Sequence, residues 1–116
     1  GSTVRYEPKP EKNTIGFWSK PEDWVSWQFD LGKPGKFELE VMQGCVGGGS
    51  EVEVSVGDQK VRFTVEHTGG FQKFVVLKPG KMTLPAGRHT LSVRPENKKG
   101  VAVMDLRQIV LRRVQE

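Results

Sequence analysis

The sequence is poor in the residues that enzymes use for covalent or metal chemistry. It holds one cysteine, Cys45, and two histidines, His67 and His89. A lone cysteine closes no internal disulfide and has no partner for a CxxC motif. The histidines stand in no HxxxH or HExxH spacing, and there is no GxSxG nucleophile elbow. These absences predict a protein that is not an enzyme, with both histidines as polar surface residues.

Long apolar runs are also missing. No run approaches the roughly 18 to 20 residues that a membrane-spanning helix needs, so no membrane partner is expected. No signal peptide is recognisable. The 116 residues suffice for one domain with one modest core. We interpret Gly1-Ser2 as a remnant of cloning and expect a piece of a longer protein that is secreted or periplasmic.

A helical period is absent too, and short alternating runs take its place. Fourteen glycines and seven prolines separate segments in which every second residue is apolar, the pattern of a strand with one buried face. The alternating sets are Val25/Trp27/Phe29/Leu31, Phe37/Leu39/Val41, Val52/Val54/Val56, Val61/Phe63/Val65 and Leu91/Val93.

The connectors between these runs carry glycine and proline in patterns that suit tight turns. Turns are predicted at residues 32–35, 57–58, 78–80 and 85–87. About eight short strands with regular turns predict an all-β fold, an antiparallel β-sandwich of the jelly-roll type.

The two ends of the chain depart from this regular pattern. Residues 1–13 are expected to form an arm or an edge strand, and residues 14–116 a single domain. "SKPEDW" at residues 19–24 predicts one helical turn, because proline suits the first helical position. Leu106 and Ile109 are three residues apart, so they share a face of the last strand only if a bulge interrupts it.

Basic residues exceed acidic ones, giving a net charge of +4. The late basic residues have no aromatic neighbours, whereas nucleic-acid binders interleave the two types, so no nucleic acid is expected. These charges either serve solubility or attract sulfated or carboxylated glycans. The residues are Arg94, Lys98, Lys99, Arg107, Arg112 and Arg113.

Other polar and glycine-rich patterns favour structural roles. The pairs Glu38/Glu40 and Glu51/Glu53 predict solvated outer strand faces, because glycoside hydrolysis needs two carboxylates that flank a cleft. "GCVGGGS" lacks the lysine and Ser/Thr of a phosphate-binding loop, and it predicts a flexible connection between strands.

Aromatic residues supply the strongest functional signal. All three tryptophans lie in "IGFWSKPEDWVSWQF". Trp27 belongs to an inward series, whereas Trp24 is out of phase with it and is expected to cover one end of the sandwich. Phe17 and Trp18 either plug that end or offer rings on which sugars stack. In "HTGGFQKF", two glycines precede Phe71, in an ordinary loop or in one wall of a ligand site.

The order of these motifs resembles carbohydrate-binding modules of families 6, 35 and 36, which have a galactose-binding-domain-like sandwich. The resemblance covers residues 14–111, and its most specific part is "TGGF" followed after one strand by "LPAGRHTL". Such modules are appended to secreted glycoside hydrolases and sulfatases. The resemblance therefore implies a non-catalytic carbohydrate-binding accessory module of a polysaccharide-degrading enzyme, with carbohydrate and the parent catalytic domain as partners.

The resemblance also assigns candidate ligand-binding residues at the loop end of the sandwich. Phe71 falls where an aromatic, usually tryptophan, stacks on sugar, and Phe17 with Trp18 falls at the opposing aromatic. Asp105 falls where a polar residue, often asparagine, hydrogen-bonds the sugar.

The family's first strand usually carries a Glu-x-Glu pair that helps bind a structural calcium. Glu7 and Glu11 have a different spacing, so no cofactor is expected and a calcium site stays open. Two alternatives to glycan binding also remain: a structural or protein-interaction module that packs against a catalytic domain, and a small hydrolase that uses Asp105 and a glutamate.

Overall fold

Eight strands make up the described part of the chain, which comprises residues 3–6, 24–97 and 103–114 of this computed structural model. Their bounds are β1 (Thr3–Tyr6), β2 (Val25–Leu31), β3 (Gly35–Cys45), β4 (Glu51–Val56), β5 (Gln59–Thr64), β6 (Gly70–Leu84), β7 (Gly87–Pro95) and β8 (Asp105–Arg113). Among these residues there is no helix of the length and apolarity that a membrane crossing needs. Residues 19–23 of the predicted helical turn lie outside the described ranges.

The strands form two four-stranded antiparallel sheets, in the orders β1-β8-β3-β6 and β2-β7-β4-β5. Antiparallel pairing throughout and this interleaved order confirm the predicted jelly-roll sandwich. The strand β1 lies at the edge of its sheet, where it pairs with β8 from Thr3↔Arg112 to Tyr6↔Ile109.

Alternating apolar residues from both sheets meet in one core. Phe37, Leu39 and Val41 of β3 are buried, as are alternate valines of β4. Their polar neighbours in sequence point away from the core, which is what the period-2 pattern predicts. Trp27 is half-buried and packs against this cluster from the edge strand β2.

The predicted turn at residues 78–80 is wrong, because β6 continues without a break from Gly70 to Leu84. In register, Leu39 pairs with Gly80 and Val41 with Leu77, so two β6 residues oppose one β3 residue in a β-bulge. Pro79 is tolerated there because β6 lies at the edge of its sheet, where no other described strand pairs with its outer side.

The irregularity predicted in the last strand is confirmed. Met42 pairs with Gln108 and Gln43 with Leu106, so Arg107 is the extra residue of a bulge in β8. The bulge restores the side-chain phase, and Leu106 and Ile109 are therefore both buried although they are three residues apart.

The glycine-rich loop between β3 and β4 is tied to the loop between β5 and β6. Gly49 N donates to Val65 O over 2.8 Å, and Val65 N donates to Ser50 O over 2.8 Å. Gly47 N donates to His67 Nδ1 over 2.8 Å. The sequence predicts a flexible connection here, and the structure instead uses its glycines to bring two backbones into contact.

We predict that Gly48→Ala destabilises the domain by about 3 kcal/mol, and Gly47→Ala by only about 1 kcal/mol. Both residues have positive φ, +71° and +93°, which costs an L-residue roughly 1–2 kcal/mol. A Cβ on Gly48 would also lie 2.6 Å from His67 N, whereas one on Gly47 meets open space. Urea unfolding midpoints measure the difference, and equal losses would contradict the backbone contact.

Candidate ligand-binding site

Three strand ends meet at one end of the sandwich and bring two of the predicted site residues together. Cys45 at the end of β3 pairs with Gly70 at the start of β6, and Gly44 pairs with Asp105 at the start of β8. Phe71 therefore begins the strand on one side of β3, and Asp105 begins the strand on the other side. The other predicted ligand residues, Phe17 and Trp18, lie outside the described ranges.

The close approach between these strands requires a glycine at position 44. An added Cβ would lie 2.5 Å from Lys73 O and 2.7 Å from Phe71 O, well inside van der Waals contact. The register jumps from Gln43↔Val75 to Cys45↔Gly70, so residues 71–74 bulge against this single glycine. The bulge frees the Gln72 side chain from the regular alternation of the strand.

Gln72 reaches across Gly44 to Asp105 and completes a polar pair. Gln72 Nε2 donates to Asp105 Oδ2 over 3.3 Å. Asp105 is only 7% exposed, and burial raises the pKa of its carboxyl to about 6, against the opposing attraction of Arg107. Sequence reasoning found Asp105 but missed Gln72, because no local pattern indicates the bulge that positions it.

The turn before Phe71 is held by side chains that bond to backbone groups. Thr68 Oγ1 accepts from Cys45 N over 3.1 Å and donates to Gly70 O over 2.8 Å. Fully buried Gln43 accepts from Glu66 N over 2.6 Å and donates to Glu66 O over 3.2 Å. With Gly69 at φ +88°, these bonds fix the tight turn that the two glycines of "TGGF" predict.

Phe71 is half-buried and packs against the hydrophobic core. Phe71 therefore contributes to the packing at this end of the sandwich and is also partly exposed to solvent. The two readings of this aromatic, loop packing and ligand wall, are thus compatible in the same side chain.

Trp24 is the large exposed aromatic of the described ranges, at 48% exposure. Its neighbour Val25 pairs with Val93, which places Trp24 beside Arg94 on the outer face of the second sheet and not over one end of the sandwich. The guanidinium carbon of Arg94 lies 4.2 Å from the ring centroid, a cation–π contact.

Uncharged polar residues occupy the rows next to Trp24 on the same sheet face. Ser92 pairs with Ser26 on one side and with Ser55 on the other, and Gln28 pairs with Thr90. Hydroxyl and amide groups beside an exposed ring resemble the chemistry of a sugar-binding surface. Sequence alternation alone could have indicated this face, because Trp24 shares the phase of Ser26 and Gln28.

Three of the late basic residues have partners in the fold. Arg112 forms an ion pair with Glu40, with Nε 2.9 Å from Oε2. Arg113 donates to Pro34 O over 2.8 Å and packs over the Phe37 ring. Arg112, Arg113 and Arg94 therefore all make contacts within the domain. Lys98 and Lys99 lie outside the described ranges.

Metal binding finds no support in the described residues, which contain no group of three or more His, Cys, Asp or Glu side chains that could hold an ion. Glu7 and Glu11 lie outside those ranges, so the calcium expectation stays a prediction.

Solved carbohydrate-binding modules have a sandwich fold similar to this one. The C-terminal family 6 module of the laminarinase LamC from Zobellia galactanivorans has a TM-score of 0.70 at 14% identity, over 96% of this chain and 99% of that one. The family 6 module of Cellvibrio mixtus lichenase 5A, solved with cellotriose, has a TM-score of 0.65 at 16% identity, over 98% and 88%. The resemblance inferred from the sequence is confirmed at the level of the fold.

A third similar structure places the fold within a longer protein. The Podospora anserina β-(1,4)-mannanase with a family 35 module has a TM-score of 0.67 at 14% identity. The match covers 99% of this chain but only 28% of the mannanase. A comparison with curated proteins finds no match.

The chain belongs to the family described as "Domain of unknown function (DUF5077)", whose model matches residues 4–116. The match takes in the edge strand β1 as well as the rest of the sandwich.

We predict that Asp105→Asn removes a pH-dependent loss of stability. A folded-state pKa of about 6, above the ordinary aspartate value of 3.8, favours the folded state below pH 4, and this advantage is lost as pH rises through about 6. The loss amounts to about 2–3 kcal/mol. Urea unfolding at about pH 4 and 7.5 should show wild type losing that much more stability than the variant.

The exposed turn residue Asp58 supplies the control, because Asp58→Asn removes a carboxylate far from this burial. A constant difference between wild type and Asp105→Asn across the pH range would show that Asp105 titrates normally.

Proposed function

We propose that this domain is a non-catalytic carbohydrate-binding module. The observation that carries the proposal is the Asp105–Gln72 pair beside Phe71, at the loop end of a sandwich shared with carbohydrate-binding modules. The carboxylate accepts hydrogen bonds from sugar hydroxyls, the amide both donates and accepts, and the exposed part of the Phe71 ring stacks on the C–H face of a sugar. Phe17 and Trp18 are proposed as the opposing aromatic wall.

The outer face around Trp24 is a second surface for the same function. Its ring is more exposed than that of Phe71, and the neighbouring Ser26, Gln28 and Ser92 offer donors and acceptors to hydroxyl groups. Whether sugar binds at the loop end, at this face or at both is decided by single variants of the two aromatics.

Binding at either surface is expected to be weak. Few aromatic contacts offset the loss of ligand freedom, so dissociation constants should lie in the range of about 1 μM to 1 mM. Such affinities suit a module that holds a catalytic domain near an insoluble or repetitive substrate, where many equivalent sites compensate for brief contacts.

The proposed setting is a secreted or periplasmic polysaccharide-degrading enzyme, a glycosidase or a sulfatase. Support comes from the similar structures, which are modules of a laminarinase, a lichenase and a mannanase. In this setting the parent catalytic domain turns over the glycan, and the sandwich itself performs no reaction.

A structural or protein-interaction role is the alternative that one observation favours. Val76 is 47% exposed and pairs in register with Met42 on the outer face of the first sheet. An apolar pair on this face is suited to contact with a neighbouring domain. This role predicts a folded domain that binds no glycan and whose association with the parent enzyme changes in Val76→Ser.

We predict that Phe71→Leu lowers glycan affinity at least about tenfold if the loop end is the site, and that Trp24→Ala does so if the sheet face is the site. Leucine keeps most of the core packing of Phe71 while removing the ring face. A glycan array of neutral and acidic sugars, followed by titration calorimetry on the hits, measures the change.

Val76→Ser is the matched control, because it alters an exposed apolar residue away from both aromatics. Its affinity should equal that of wild type. If the folded wild-type domain binds no glycan on the array, the result would contradict the proposed function and favour the protein-interaction role.

A further inference from the structure

The two carboxylate oxygen atoms of Asp105 differ in their hydrogen bonding. Oδ2 accepts from Gln72 Nε2 over 3.3 Å, while Oδ1 has no hydrogen-bond partner among the described residues. Asp105 is only 7% exposed, and a carboxylate oxygen without a hydrogen bond is costly at such a position. A ligand hydroxyl that donates to Oδ1 would relieve that cost.

The charges around this carboxyl do not neutralise it. No ion pair among the described residues includes Asp105. On β8, exposed Arg107 attracts it through space. On β6, the neighbours are the uncharged Gln72 and then Lys73, whose aliphatic stem lies against Gly70. On β3, Gly44 faces it, and the Cys45 thiol points instead to Val103 O.

We propose that Asp105 selects the charge of the ligand: the loop end accepts neutral, hydroxyl-rich sugars and rejects carboxylated or sulfated ones while this carboxyl is ionised. The proposal rests on the proposed function and refines its substrate class. An anionic group placed at Oδ1 has no proton to donate and meets a like charge at a poorly solvated position, which weakens binding.

Protonation of Asp105 weakens this selection. A neutral Asp105 offers an O–H donor as well as an acceptor, and the like-charge repulsion is gone. Burial raises the pKa of this carboxyl to about 6, so the change falls in mildly acidic solution, where sugar carboxylates and sulfates keep their charge. Basic residues of the domain can then attract an anionic ligand without opposition from a charged Asp105.

The test compares each acidic glycan with its neutralised partner, a uronate with its methyl ester and a sulfated oligosaccharide with its desulfated form. Wild type, Asp105→Asn and the matched control Arg107→Gln are compared at about pH 7.5 and pH 5. For wild type at pH 7.5, we expect the neutral partner to bind at least about tenfold more tightly. The ratio should fall to about threefold or less at pH 5.

Asp105→Asn should bind both partners equally at both pH values, because asparagine holds no charge to repel an anion. Arg107→Gln should keep or increase the preference for neutral sugars, since it removes a cation that offsets Asp105. Preferred binding of anionic glycans by wild type at pH 7.5, or an unchanged ratio in Asp105→Asn, would overturn charge selection and leave the proposed function intact. If no glycan binds to wild type or to either variant, both the charge selection and the proposed function are overturned.

Discussion

Gly44 has no side chain, and the carbonyl oxygens of Phe71 and Lys73 occupy the space where one would lie. This contact lets four residues of β6 bulge against a single position of β3, which in turn delivers the Gln72 amide to the Asp105 carboxyl. Without that approach, β6 would run in regular register and its side chains would alternate between core and solvent. The Gln72–Asp105 pair at the loop end therefore results from backbone packing that requires glycine at position 44.

The same principle shapes the rest of the sandwich. Regular alternation fills the core from both sheets, and departures from it re-aim side chains. The bulge at Arg107 brings Leu106 and Ile109 to the core together, and the bulge at Pro79 lets Gly80 lie against Val61 of the other sheet. Edge strands of the two sheets thereby meet and close one side of the barrel-like core.

Local pattern sufficed for most of the fold because burial on one face leaves a period of two in the sequence. It predicted the sets around Val54 and Leu39, and the phase break at Leu106. It failed at residues 78–80, since Lys-Pro-Gly suits a turn by itself and only the edge position of β6 makes the strand possible. In the site, Phe71 and Asp105 were accessible through motif resemblance, whereas Gln72 depends on a contact between strands distant in sequence.

The edge strand β6 has a further consequence for crowding. A domain that gathers on a repetitive surface meets many copies of itself, and an exposed strand edge invites those copies to join their sheets. At Pro79 no N–H exists to extend such a pairing, the bulge bends the edge, and Lys78 brings a charge that any second β6 would repeat. These three features disfavour lateral pairing between two copies of β6.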